Sequence, residues 1–192
     1  TYQALKRMKA APTGIYLAPL RLLALEVYES LRNEGISCAL KTGEEEKNID
    51  DATHFSCTVE MFHEKDAYDV MVIDEAQMIA DKDRGFSWYR AIQKARAKEV
   101  HIIGSHSAKK MLMNMLEGND VELHEYSRNV PLKVEKKPFS FSNVKQGDAL
   151  IVFSRAKVLQ TASRLERDGH KVSIIYGSMP PETRAKQMKR FI

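Results

Sequence analysis

The order of apolar runs and helical patterns predicts an α/β protein, with two mainly parallel sheets in tandem and the second cut short. Three observations carry that expectation. Short apolar runs bounded by polar residues alternate with amphipathic stretches, as βα units require. Residues 127–148 interrupt the alternation with Pro131, Pro138 and Gly147 and show no sustained period. Charge changes sign at the same place: residues 1–127 carry 16 Lys+Arg against 21 Asp+Glu, whereas residues 128–192 carry 14 against 5. A break of this kind marks a candidate domain boundary, giving domains 1–127 and 128–192. The basic second half suits either a polyanionic partner or a plain solvated face.

Residues 14–18 read as the first strand. Residues 20–32 follow as an amphipathic helix with Leu22, Leu23, Leu25, Val27 and Leu31 at apolar positions, stopped by Asn33 and Gly35. Strands are expected at 36–40, at 54–57 running into Thr58, and at 68–73. A helix within 86–97, a strand at 100–104, a helix at 108–116 and a strand at 121–126 complete the first domain. After a hinge near 127–131 the alternation restarts with a strand at 149–153, a helix at 156–167, a strand at 171–176 and a helix at 181–191. Pro181 fits a helix start, where its missing N–H would have no partner in any case. Two parallel strands are too few to stand alone, so the second domain is expected to be truncated.

The remaining composition narrows the class. A hydrophobic share of 43% with 29% charged residues is ordinary for a globular protein. No apolar stretch approaches membrane-spanning length, and the N-terminus reads as neither a secretory nor a transit segment, so no membrane partner is expected. Cys38 and Cys57 lack CxxC spacing, which favours reduced, buried thiols and an intracellular setting. His63-Glu64 is not followed by a second histidine four residues on, so it is no zincin motif. Trp88 and Tyr89 are expected to pack in the fold, and the Glu44–Glu46 run to form a solvated loop.

The most informative segment is residues 68–77, Tyr-Asp-Val-Met-Val-Ile-Asp-Glu-Ala-Gln. An apolar run this short suits a strand buried on both faces of a parallel sheet, and ligand sites in open α/β sheets lie off the carboxyl ends of such strands. Two adjacent acids there are unfavourable unless a cation or a reacting group offsets them. A magnesium-nucleotide site fits, with Asp74 facing the ion and Glu75 the attacking water. An acidic pair at a helix N-cap is the plain alternative.

The element order, with Asp74-Glu75-Ala76-Gln77 as motif II, resembles the superfamily-two helicases of the DExH/DEAD type. Within them it is most similar to the RNA helicases of the mitochondrial degradosome and their bacterial homologues. The likeness covers essentially the whole chain but only the middle of that family's helicase core. It implies two RecA-like domains, ATP in the cleft between them, and single-stranded nucleic acid across their tops. Asp74 and Glu75 would then be the catalytic acids. Asp74 would coordinate Mg2+, Glu75 would position or deprotonate the water, and Gln77 would sense the nucleotide. Thr1 resembles the last residue of the phosphate loop, whose hydroxyl ligates the metal.

Nucleic-acid contacts follow from the same resemblance. Ala18-Pro19-Leu20-Arg21 resembles motif Ia, and Lys41-Thr42-Gly43-Glu44 and Cys57-Thr58-Val59-Glu60-Met61 resemble the next backbone-contacting turns. Pro19, Leu20, Arg21, Thr42, Gly43 and Thr58 are the implied contacts of the first domain. Thr58 also suits a helix N-cap. Gly104-Ser105-His106-Ser107-Ala108 stands loosely where motif III belongs, with His106 a polar loop residue. In the second domain Ser154, Arg155 and Gly177 are implied contacts, the first two within Val152-Phe153-Ser154-Arg155, which resembles motif IV.

The resemblance therefore implies an ATP-dependent RNA helicase with ATP and Mg2+ as cofactors, acting on single-stranded or partly duplex RNA. It implies an exoribonuclease partner, and a bacterial cytoplasmic or, in a eukaryote, mitochondrial matrix location. The phosphate-loop lysine and the arginine finger are not in this sequence, so the chain alone is expected to hydrolyse ATP poorly. A DNA helicase or translocase, a non-catalytic nucleic-acid-binding module and a nucleotide-binding scaffold stay open as alternatives.

Overall fold

Strands β1 (Gly14–Ala18), β2 (Cys38–Lys41), β3 (Glu46–Lys47), β4 (His54–Thr58), β5 (Tyr68–Ile73) and β6 (Ala97–Ile102) form one sheet in the order β3-β2-β4-β1-β5-β6. The computed structural model in which they lie describes residues 1–127 and 130–191. All pairings are parallel except that of β3 with β2. The chain divides into two compact units, Thr1–Glu122 and Leu123–Ile192, and the whole sheet belongs to the first.

Side chains alternate across the sheet, and helices cover both faces. Tyr16, Ala18, Val70 and Val72 face one layer, where they pack with Ala4 and Met8 of α1 (Tyr2–Lys9) and Ala24, Val27 and Leu31 of α2 (Arg21–Asn33). Ile15, Leu17, Met71 and Ile73 face the other, with Trp88, Ala91 and Ile92 of α3 (Gly85–Gln93). The half-buried Leu112 and Met115 of α4 (Lys109–Met115) join that second layer. A strand buried on both faces is the reason β5 reads as a continuous apolar run instead of an alternating one.

Polar ties register the edges of these layers. His54 is buried between the Met8 carbonyl, 2.9 Å from Nε2, and the Thr53 hydroxyl, 2.9 Å from Nδ1. Ser56 donates to the Ala24 carbonyl at 2.6 Å. At the amino edge, Asp69 accepts from the Thr13 N–H and hydroxyl at 3.1 and 2.8 Å and pairs with Lys98 at 2.7 Å. Lys98 first, and then Thr13, hold the Asp69 carboxyl below its ordinary range. Cys38 and Cys57 are buried free thiols, and burial pushes both up to about 12.

Several sequence expectations need correction. The strand expected at 100–104 begins earlier and is β6, because its pairing with β5 starts at Ala97 opposite Tyr68. No strand forms at 121–126, where Val121, Leu123 and Tyr126 stay exposed. The Glu44–Glu46 run is not wholly a solvated loop: Glu46 enters β3 opposite Lys41. Trp88 packs fully inside, but Tyr89 is exposed and stacks on the still more exposed Phe86, with ring centroids 6.2 Å apart.

In the second unit, helices α5 (Arg155–Arg167) and α6 (Pro181–Phe191) form as expected. The strands expected at 149–153 and 171–176 do not, because those segments find no hydrogen-bonded neighbour among the described residues. Ile151 and Phe153 accordingly lie open to solvent. The expected hinge at 127–131 includes Arg128 and Asn129, which lie outside the described residues.

Two tests of this packing follow. A Cβ on Gly85 would sit 2.2 Å from the Ile79 carbonyl oxygen, so Gly85→Ala must push α3 off the preceding turn. Urea denaturation should show a loss on the order of 1–3 kcal/mol, the usual range for overpacking. Asp69→Asn should lower the melting temperature at neutral pH. A depressed carboxyl stabilises above its unfolded pKa and loses that effect as pH falls through the folded one. The deficit should therefore shrink as pH drops below about 3.9 in a thermal-melt series.

Candidate nucleotide and nucleic-acid site

Parallel pairing brings the carboxyl ends of β2, β4, β1 and β5 to one edge of the sheet. Lys41 lies opposite Cys57, Ala18 opposite Thr58 and Leu17 opposite Ile73. Every candidate residue of the first unit except Thr1 lies on or just beyond one of these strand ends. Thr1 reaches the same edge as the N-cap of α1.

Asp74 follows β5 directly and is 4% exposed. Its backbone is fixed on both sides: its N–H donates to the Leu17 carbonyl at 3.1 Å, and its carbonyl accepts from the Trp88 indole N–H at 2.8 Å. Of its carboxylate oxygens, Oδ2 accepts from the Tyr16 hydroxyl at 2.8 Å, and Oδ1 accepts from the Glu75 N–H at 3.0 Å. The Thr1 hydroxyl also turns to Oδ1, at 3.5 Å, and makes no cap bond within α1. Asp74 therefore gathers groups from three elements, which the N-cap alternative does not require. The single turn at Ala76–Ala80 has no side-chain cap at all.

Glu75 is exposed and holds a left-handed backbone, with φ 51° and ψ 49°. Few residues other than glycine sit there, and such strain persists only where neighbours enforce it. The Ala76 N–H donating to the Ile103 carbonyl at 2.7 Å and the Met78 N–H donating to the Glu75 carbonyl at 2.9 Å supply that restraint. The kink frees Glu75 from strand alternation and sends it outward beside its buried neighbour. Its carboxylate accepts from the Gln77 side-chain amide, whose own oxygen accepts from the Ser105 N–H at 3.1 Å. Gln77 thus bridges the acidic pair to the Gly104–Ala108 segment.

Oxygen donors from Thr1 and Asp74 converge with Glu75 close by, a donor set suited to Mg2+. That ion is held by one or two carboxylates together with water and phosphate oxygens, not by a full protein cage. The residues present fit the group.

Along the rim, Pro19 is buried and its carbonyl accepts from Arg84 Nη2 at 2.6 Å, while Leu20 is exposed. Arg84 also pairs with Glu60 at 2.7 Å and lies 5.2 Å above the Trp88 ring. Arg21 forms an ion pair with Glu44, which ties motif Ia to the turn after β2. Thr42 is buried, and its hydroxyl closes that turn by donating to the Glu45 carbonyl and accepting from the Glu45 N–H, both at 3.0 Å. Gly43 at the tip faces open space. Thr58 is buried at the N-cap of the Val59–Met61 turn, without a side-chain cap bond.

In the second unit, Ser154 caps α5, its hydroxyl accepting from the Lys157 N–H at 3.3 Å. The Arg155 guanidinium lies 5.1 Å from the Tyr176 ring centroid. Next to it, the carbonyls of Gly177 and Met179 accept from the buried Arg184 at 2.8 and 2.9 Å. The three candidate residues of this unit are therefore brought together.

Sequence reasoning missed Tyr16, Trp88 and Arg84. Strand parity carried a signal for the first: β1 pairs Tyr16 with Val72, so Asp74 falls two residues on along the same face, within reach of an aromatic side chain. The indole and guanidinium partners depend on tertiary packing that no local spacing encodes.

Comparison with known proteins gives the family. A model described as the DEXQ-box helicase domain of Suv3 matches residues 1–126. The chain is 41% identical to the ATP-dependent RNA helicase SUV3L, mitochondrial, of Oryza sativa subsp. japonica, covering all of this chain and 27% of that protein. It is 38% identical to the ATP-dependent RNA helicase SUPV3L1, mitochondrial, of Mus musculus, covering all of this chain and 25% of that one. The chain thus spans about a quarter of the length of these relatives. Among solved structures, Saccharomyces cerevisiae Dbp5 bound to RNA and ADP BeF3 matches with a TM-score of 0.62 at 15% identity. That match covers 99% of this chain and 57% of Dbp5, and it is a likeness of fold. The Asp74-Glu75-Ala76-Gln77 signature, its place at the carboxyl edge of a parallel sheet and the match across residues 1–126 lead to one conclusion: the chain belongs to the Suv3 family of DEXQ-box helicases.

Proposed function

We propose that this chain is a segment of an ATP-dependent RNA helicase, coupling ATP hydrolysis to unwinding of RNA or movement along it. The observation that carries the reading is the convergence of Thr1, Asp74, Glu75 and Gln77 beside a rim holding Pro19, Arg21, Gly43 and Thr58 on the same sheet edge. The printed names of the relatives, all ATP-dependent RNA helicases, support it.

Bound with the triphosphate, Mg2+ would neutralise phosphate charge. Thr1 and Asp74 hold the metal side of the site. Glu75 orients water and takes its proton, an arrangement its exposure and its left-handed backbone favour. Gln77 carries the nucleotide state to the Gly104–Ala108 segment through its bond to the Ser105 N–H. RNA runs over backbone amides and basic side chains at the strand ends, without base readout. Residues 1–127 form a RecA-like first domain and residues 128–192 begin a second, whose Ser154, Arg155 and Gly177 add phosphate contacts. An exoribonuclease partner completes the reading, with a mitochondrial matrix location in a eukaryote or a cytoplasmic one in a bacterium.

The decisive measurement uses the full-length protein. Glu75→Gln should lower the ATPase kcat by about 10²–10⁴-fold, the range for a lost general base, with RNA affinity kept. Retained hydrolysis would refute the catalytic assignment. RNA and DNA duplexes compared in the same unwinding assay separate an RNA motor from a DNA translocase. Arg21→Ala should weaken RNA of any sequence alike and flatten the log K against log salt plot by about 0.7 per lost phosphate contact. A sequence-dependent loss would point to base readout instead.

A further inference from the structure

The Asp74 backbone is locked at its N–H by Leu17 and at its carbonyl by Trp88, so only the side-chain torsions are left to aim the carboxylate. Its closest side-chain donor is Tyr16. Tyr16 lies in the middle of β1, is 1% exposed, and donates its hydroxyl to Oδ2 at 2.8 Å. The other oxygen, Oδ1, is left turned to the Thr1 hydroxyl and the Glu75 amide. We propose that Tyr16 is a positioning residue for the metal site: by holding Oδ2 it points Oδ1 at the ion shared with Thr1. The inference rests on the reading of Asp74 and Thr1 as the magnesium-nucleotide ligands.

The chemistry suits the task. A carboxylate that binds a metal through one oxygen needs a donor on the other to keep it from swinging, and outer partners of this kind tune metal affinity. Tyrosine supplies a rigid donor: its ring is clamped between α1, α2 and the neighbouring strands, so the hydroxyl has one position. A lysine or arginine there would bring a charge that competes with the metal for the same carboxylate. The neutral phenol aims the group without neutralising it.

Tyr16→Phe in the full-length protein keeps the ring and removes only the hydroxyl. Binding of ADP titrated with Mg2+ should show the half-saturating Mg2+ concentration rise by about ten-fold to a hundred-fold. ADP binding in excess EDTA and RNA affinity should stay as in the wild type, which a general loss of structure would not allow. Asp74→Asn serves as the control. If it raises the Mg2+ requirement and Tyr16→Phe does not, the positioning role is overturned and the metal site stands. If neither variant changes the Mg2+ requirement, the metal reading itself fails. Should Tyr16→Phe not unfold cooperatively, 3-fluorotyrosine placed at position 16 gives a second measurement. Its 19F resonance should move when Mg2+ is added at saturating ADP, and an unmoved resonance overturns the proposal.

Discussion

Parallel pairing of β1 with β5 is the constraint from which the rest of the first unit follows. It sets Tyr16 beside Val72 and Leu17 beside Ile73, so the chain leaving β5 emerges against the end of β1. That one register gives Asp74 its backbone acceptor on Leu17 and its side-chain donor on Tyr16. A slip of one residue would turn Tyr16 to the opposite helical layer and leave a buried carboxylate without its partner. The helices on both faces keep the register, because Val70 and Val72 fit one layer and Met71 and Ile73 the other.

Charge is managed at the rim by pairing. Arg21 meets Glu44, Arg84 meets Glu60, and Arg90 donates to the carbonyls of Glu60 and Phe62 at 3.2 and 3.0 Å. These ties cross from the turn after β2 to the start of α2, and from the turn after β4 to α3. They fix loops that would otherwise have to be ordered by a ligand, and such ordering opposes binding. On the proposed RNA path, a phosphate reaching Arg21 would exchange with the Glu44 carboxylate instead of meeting an empty cation.

Much of this was legible in the sequence, for reasons specific to each segment. The buried strand at 68–73 announced itself as an apolar run, and Asp74 and Glu75 stood out because acids are unfavourable at the end of one. Helix 181–191 was marked by its leading proline. The strands at 149–153 and 171–176 looked equally convincing, with Ile151, Val152 and Phe153 in succession. A strand, however, is made by its neighbours, and no partner lies beside them among the described residues. The two-residue strand at Glu46–Lys47 escaped notice for the opposite reason: its charged composition hides a ladder set by the Thr42 turn. Tyr16 carried a readable parity, whereas Trp88 reaches the site from a helix and Arg84 from the turn before it, and no local pattern tells which side chains cross the fold.

The unusual backbone of Glu75 sets robustness against competence at a single residue. Glycine would adopt that geometry with none of the steric penalty, about 1–2 kcal/mol, that a side chain incurs there. It would also strip out the acid that the proposed chemistry needs. A search for sturdier variants that scored folding alone would therefore drift toward a protein better built and idle.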